Sequence, residues 1–172
     1  MPKVISVPFT KEGLDKLAKF LNDYADNYLP KKVNNLISVM CKRGESWAIN
    51  MVGHIDTGET LSSIHGYRRG NKGVIVAGGN AIWIEFGTGV VANRGNAPHP
   101  KMAELGMSPW GTYGKGHGAS LNGWYYPDEN GTHEFDGQKY SHTMGIPSNR
   151  FMYNTAQMLK VAFPELAKEV FK

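Results

Sequence analysis

Between Thr10 and Val52 the apolar residues return every three or four positions, a spacing that only a helix turns to one side. Leu14, Leu17, Ala18, Leu21, Tyr24, Ala25 and Tyr28 form a first stripe, and Thr10 stands where a helix needs its N-cap. Val33, Leu36, Ile37, Met40 and Cys41 repeat the stripe, and Trp47, Ala48, Met51 and Val52 carry it past Gly44. Pro30 interrupts it. Proline breaks or kinks a helix and suits the first turn of the next. The spacing therefore predicts N-terminal helices with one buried face over the first third of the chain.

The period then changes. "SIHGYRR" is followed by the turn "GNKG", the run "VIVA", a second turn "GGN" and the run "AIWIEF". Short apolar and β-branched runs bounded by Gly and Asn predict strands, here three in an antiparallel meander. In the third, Ile82, Ile84 and Phe86 alternate with Ala81, Trp83 and Glu85. Both faces carry bulk, which predicts a strand covered on both sides or paired with another subunit.

From about residue 88 to residue 146 no helical or alternating run persists, and this stretch holds more than half of the chain's 21 glycines. It reads as a long irregular insertion, of the kind that is functional or mobile. Trp110, Tyr113, Trp124, Tyr125, Tyr126, Phe135 and Tyr140 stud it, so it is expected to bury aromatics against a partner. Pro147 and Ser148 then open a C-terminal helix with the stripe Phe151, Thr155, Met158, Leu159, Ala162, Leu166 and Val170, bent or split by Pro164. The order of elements predicts an α+β fold in a single domain over residues 1–172.

Composition narrows the function classes. The chain has 172 residues, 41% of them apolar and 20% charged, enough for a buried core. Its net charge of +4 is spread along the chain without a dense basic run, which argues against sequence-specific DNA binding. No apolar run approaches the roughly 18 residues of a membrane helix, and the N-terminus does not read as a signal peptide. A lone cysteine, Cys41, fits a reducing compartment and lies on a helical stripe, where a buried inert thiol is expected.

Asp56-Thr57-Gly58 is the stretch with the sharpest chemical reading. Aspartic proteases use such a tripeptide to bring two carboxylates together around one proton, and a small enzyme of this kind gains its second carboxylate by dimerising. Against this, Glu59 follows the glycine where a small residue is usual, and "MVGH" is a poor strand to carry the motif. With Asp56 as N-cap and Glu59 at the third helical position, the same residues form a capping box. Asp56, Thr57, Gly58 and Glu59 are therefore read as a helix cap and turn, without catalytic residues. The six histidines show no zinc spacing, although His133 and His142 could meet near Asp128 or Glu134. "GKGHG" lacks the ending of a phosphate loop, and no cofactor or metal site is expected.

Taken in order, "HIDTGETLSSI", "AIWIEFGTG" and "PSNRFMYNTAQ" resemble the head–tail joining proteins, also called tail-completion or neck proteins, of long-tailed siphophages of the HK type. Asp56, Thr57, Gly58, Leu61, Ser63 and Ile64 match a first motif, with one extra residue before Leu61. Trp83, Glu85, Phe86, Gly87 and Thr88 match a second. Arg150-Phe151 stands where the family has Arg-Pro-Phe. The resemblance implies a non-enzymatic virion protein, made in the bacterial cytoplasm and resident in the neck. It implies a ring, commonly a hexamer, that completes the tail and contacts the head connector or stopper on one side and the tail tube or terminator on the other. DNA would pass through the channel without being read. A ring needs a patch that meets a different patch on its neighbour. The candidates are Trp83, Glu85, Phe86, Gly87, Thr88, Trp110, Trp124, Tyr125, Tyr126, Arg150 and Phe151. Two other readings remain: a protease using Asp56, and a module whose aromatic loop grips a glycan or peptide.

Overall fold

The computed structural model describes residues 6–52, 58–88, 99–102, 104–105, 117–120 and 123–172. The fold is α+β, with a long N-terminal helical segment, two antiparallel sheets of short strands and a C-terminal helix. The chain divides into two compact units: residues 1–45 with 66–75 and 158–172, and residues 46–65 with 76–157.

In the first unit, Thr10 caps α1 (Lys11–Asp23) as expected, its Oγ1 accepting the Gly13 N–H at 3.2 Å. The helix does not stop at Pro30. A π-helical turn, Tyr24–Tyr28, leads directly into α2 (Leu29–Val52), and the Leu29 N–H bonds back to the Tyr24 carbonyl, five residues earlier. The wider turn accommodates a proline that has no N–H to give and whose ring crowds the carbonyl four residues before it. The expected break is thus a bulge, and helix runs on from Lys11 to Val52.

The core of this unit lies between α2 and α5 (Phe151–Phe171), where Leu36 packs with Leu166 and Val170 amid Val39, Met40 and Phe171. Pro164 lies inside α5, which stays a single helix. The hairpin β1 (His65–Arg69) and β2 (Lys72–Val76) lies close on α2, and two glycines permit the approach. A Cβ on Gly66 would stand 2.3 Å from the Cys41 carbonyl oxygen, and one on Gly73 would stand 2.8 Å from its sulfur. Cys41 itself is buried and its Sγ lies 3.3 Å from the Tyr67 carbonyl oxygen. The α1 stripe differs from expectation. Gly13 is the buried residue of α1, and Leu14, Leu21 and Tyr24 are exposed.

The second unit corrects two expectations. Residues 81–86, expected as the third strand of a meander, form a short helix, α4 (Ala81–Phe86). Ala81, Ile84, Glu85 and Phe86 are its buried residues, while Ile82 is 45% exposed. A short apolar run alternates and spirals equally well, and here burial of Glu85 together with Ile84 selects the helix. The expected irregular insertion contains a sheet of four antiparallel strands in the order β3-β4-β6-β5. These are β3 (His117–Ser120), β4 (Gly123–Pro127), β5 (His133–Phe135) and β6 (Gln138–Thr143). Asp136 and Gly137 turn β5 into β6 with φ of 51° and 77°, the two positive angles of a type I′ hairpin. Tyr125 pairs with His142, and Phe135 with Gln138.

Candidate functional site

Two of the three sequence motifs meet in one place, where the C-terminus of α4 faces the N-terminus of α5. A helix end leaves carbonyls or N–H groups without partners, and each end here supplies the other. The Asn149 N–H donates to the Ile84 carbonyl at 2.9 Å, and the Arg150 N–H to the Glu85 carbonyl at 3.1 Å. The Ser148 hydroxyl also donates to the Glu85 carbonyl, at 2.7 Å. In return the Glu85 carboxylate accepts the Met152 N–H on Oε2 at 2.7 Å and the Tyr153 N–H on Oε1 at 2.9 Å. Those are the second and third residues of α5, so a side chain 67 residues away in sequence does the work of an N-cap. Its negative charge also complements the positive end of the helix dipole.

His99 completes the cluster. It is 4% exposed, and its Nε2 lies 2.8 Å from Glu85 Oε1. Its Nδ1 accepts the Lys101 N–H at 3.0 Å, which assigns the proton to Nε2 and makes the imidazole a donor to Glu85. The ring lies 4.3 Å from that of Phe86 and 5.4 Å from that of Tyr153. Phe151 is fully buried. Asn149 reaches a third helix end, its Nδ2 donating to the Met51 carbonyl near the C-terminus of α2 at 3.1 Å.

Gly87 makes the approach possible. Its φ of 72° and ψ of 172° fall in a region open essentially to glycine. A Cβ there would stand 2.5 Å from the Ser148 nitrogen and 2.7 Å from the Ile146 oxygen. Thr88 then exchanges backbone hydrogen bonds with Ile146 in both directions, at 2.8 and 3.1 Å. Arg150 sits at φ 59°, unusual for a residue with a side chain. Its Nε and Nη2 are buried without a hydrogen-bond partner among the described residues.

Chemically this is a lock. Both Glu85 oxygens hold donors and both His99 nitrogens are engaged. Glu85, Phe86 and Phe151, expected on a contact surface, are interior residues of the lock, and Gly87, Thr88 and Arg150 belong to it through their backbones. Trp83 is half-buried on α4. Gly58, at φ 90°, precedes α3 (Glu59–Ser63), so Glu59 is its first helical residue and not the third; Asp56, Thr57 and Trp110 lie outside the described residues. Sequence reasoning misses His99, Ser148 and Asn149 as site residues. Ser148 and Asn149 carry a readable signal, as polar residues just before an apolar helix. His99, among prolines, carries none.

A second cluster covers one face of the four-stranded sheet. The Tyr125 ring has His133, Phe135 and His142 within 4.8 to 5.3 Å, and Phe135 stands edge-on to Tyr140. Tyr126, its side chain alternating to the other side of β4, is 42% exposed. Trp124 is described by its backbone, in β4. The two histidines flank a tyrosine, and no group of three or more metal-ligating side chains forms among the described residues. Asp128 accepts a 2.6 Å bond from the Ser141 hydroxyl and the Asn130 N–H at 3.0 Å, which hold its carboxyl below the usual aspartate pKa. Among the described residues no helix is long and apolar enough to cross a membrane. Comparisons with protein-family models, with curated proteins and with solved structures give no match.

Proposed function

We propose that this chain is a structural protein of a tailed-phage virion that completes the tail and joins it to the head connector, as one subunit of a ring around the DNA channel. The reading rests on the order of the three motifs and is supported by one observation. The second motif and the start of the third are built into a single lock, in which Glu85 caps α5 and Gly87 admits the backbone of residues 146–148. Glu85 and His99 are used to hold helix ends together. That is the investment expected of a part that must keep its shape under assembly. The exposed Tyr126 is a sheet aromatic available to a neighbour.

The direct test is reconstitution. Purified protein added to separated heads and tails from a gene-deletion lysate should restore infectious particles, and Tyr126→Ala should lower the yield while its melting temperature stays within a few degrees. Failure of the wild-type chain to restore joining would contradict the proposal. The sheet face around Tyr125 favours a second reading, an aromatic ligand-binding module, in which a glycan or peptide would protect Tyr125 from modification. Peptidase activity lost in Asp56→Asn would point instead to the protease reading.

A further inference from the structure

The bases that the sequence scatters are gathered by the fold. The first unit holds 14 lysines and arginines and 7 acidic residues, and the second holds 5 and 8. One surface of the first unit carries the excess. α2 between Leu29 and Gly44 and the hairpin between Gly66 and Ile75 together have seven lysines and arginines and no aspartate or glutamate. The next acid along α2, Glu45, meets the hairpin at the end away from its turn, where the carboxylate accepts the Gly66 N–H at 2.7 Å.

The hairpin aims these charges. Gly66 and Gly73 face α2, so the alternation of the strands turns Tyr67, Arg69 and Lys72 to the open face, where all three are exposed. The turn between the strands has two residues, Gly70 at φ 60° and Asn71, which sets Arg69 directly opposite Lys72. Like charges so opposed repel, and neither strand carries a carboxylate to offset them. Arg68, on the other side of β1, reaches α2. There its Nη1 donates to the Asn34 carboxamide oxygen, a neutral partner that holds the charge near the turn. Lys31 lies one helical turn before Asn34 on the same side of α2 and is exposed. Four bases thus surround the end of the hairpin.

We infer that this basic tip rests on the phosphate backbone of duplex DNA. The composition of the tip selects the partner. A protein contact needs apolar or aromatic anchors at its centre, where lysine is depleted. A bilayer surface needs apolar side chains to insert. The tip is Arg68, Arg69, Gly70, Asn71 and Lys72, and surfaces that meet nucleic acid are polar and strongly positive in this way. Each phosphate that is neutralised releases counterions, so three or four bases make a weak, salt-sensitive contact without sequence readout, over which a duplex can slide. The inference rests on the ring reading for its place in the virion, where several copies would present the tip to one duplex.

The test uses the purified full-length chain and a fluorescein-labelled duplex of mixed sequence, with binding read by anisotropy over a salt series. The expected affinity falls with salt at a logarithmic slope of about −3. Arg69→Ala and Lys72→Ala should each lessen that slope by about one and weaken binding roughly tenfold at about 0.1 M salt, alike on duplexes of different sequence. Arg69→Lys should retain both slope and affinity. Lys139→Ala and Lys160→Ala remove exposed bases elsewhere and should change the affinity by less than about twofold. Equal losses from those two variants would overturn the inference in favour of diffuse attraction by net charge. So would an absence of binding at about 0.05 M salt, or a duplex displaced as readily by poly-glutamate or phosphatidylglycerol vesicles at equal charge. If tip-dependent binding is absent while deletion still leaves heads and tails apart, the DNA contact falls and the joining function stands. If it is present while the deletion lysate holds normal infectious particles, the DNA contact stands and the joining function falls.

Discussion

Glu85 holds three donors that would otherwise be buried without an acceptor: two α5 amides and the His99 Nε2–H. Replacing it by alanine removes a helix cap and strands a buried imidazole, so Glu85→Ala should cost about 2–4 kcal/mol in urea denaturation, and Glu85→Gln about half as much. A loss below about 0.5 kcal/mol would mean that this carboxylate behaves as a surface group. Gly87→Ala should cost about 3 kcal/mol, read as a fall in melting temperature, because the new Cβ meets backbone at an angle few other residues adopt. Asp128 gives a pH signature. Its carboxyl is held low first by Ser141 and then by the Asn130 amide, so the folded state gains from it above the ordinary aspartate pKa and loses that gain as pH falls through the lowered value. Ser141→Ala should raise the Asp128 pKa toward its usual range in an NMR titration. An unchanged titration would remove the hydroxyl as the cause.

At the scale of elements, Pro30 offers the cleanest test. If the π-turn exists to accommodate the ring, Pro30→Ala should let Tyr24–Tyr28 relax to ordinary α-helix and stabilise the first unit by about 1–3 kcal/mol, with stronger helical circular dichroism. No gain would mean that the bulge has another cause. The helices are legible in sequence because their apolar periods are long, and Thr10 is recognisable as a cap by its position alone. The run "AIWIEF" is not, since six residues fit both periods and the decision comes from Glu85, a polar residue buried by partners beyond residue 147. The sheet at 117–143 escapes a sequence reading for a different reason. Its strands are polar and aromatic, so they lack apolar alternation, yet Asp136-Gly137 is a hairpin signal that glycine density conceals. The candidate site is half legible. Glu85, Gly87 and Arg150 stand out in sequence as a contact surface, whereas the structure uses them to join helix ends.

At the scale of the molecule, a lock that fixes α4 to α5 and an aromatic sheet face suit the proposed part, one assembled against neighbours. In the proposed function this chain joins heads to tails. Electron microscopy of lysates from a phage lacking the gene addresses it most directly. The expected result is DNA-filled heads beside complete but unattached tails, restored to whole particles when the gene is supplied in trans. Normal numbers of joined, infectious particles in the deletion lysate would contradict it.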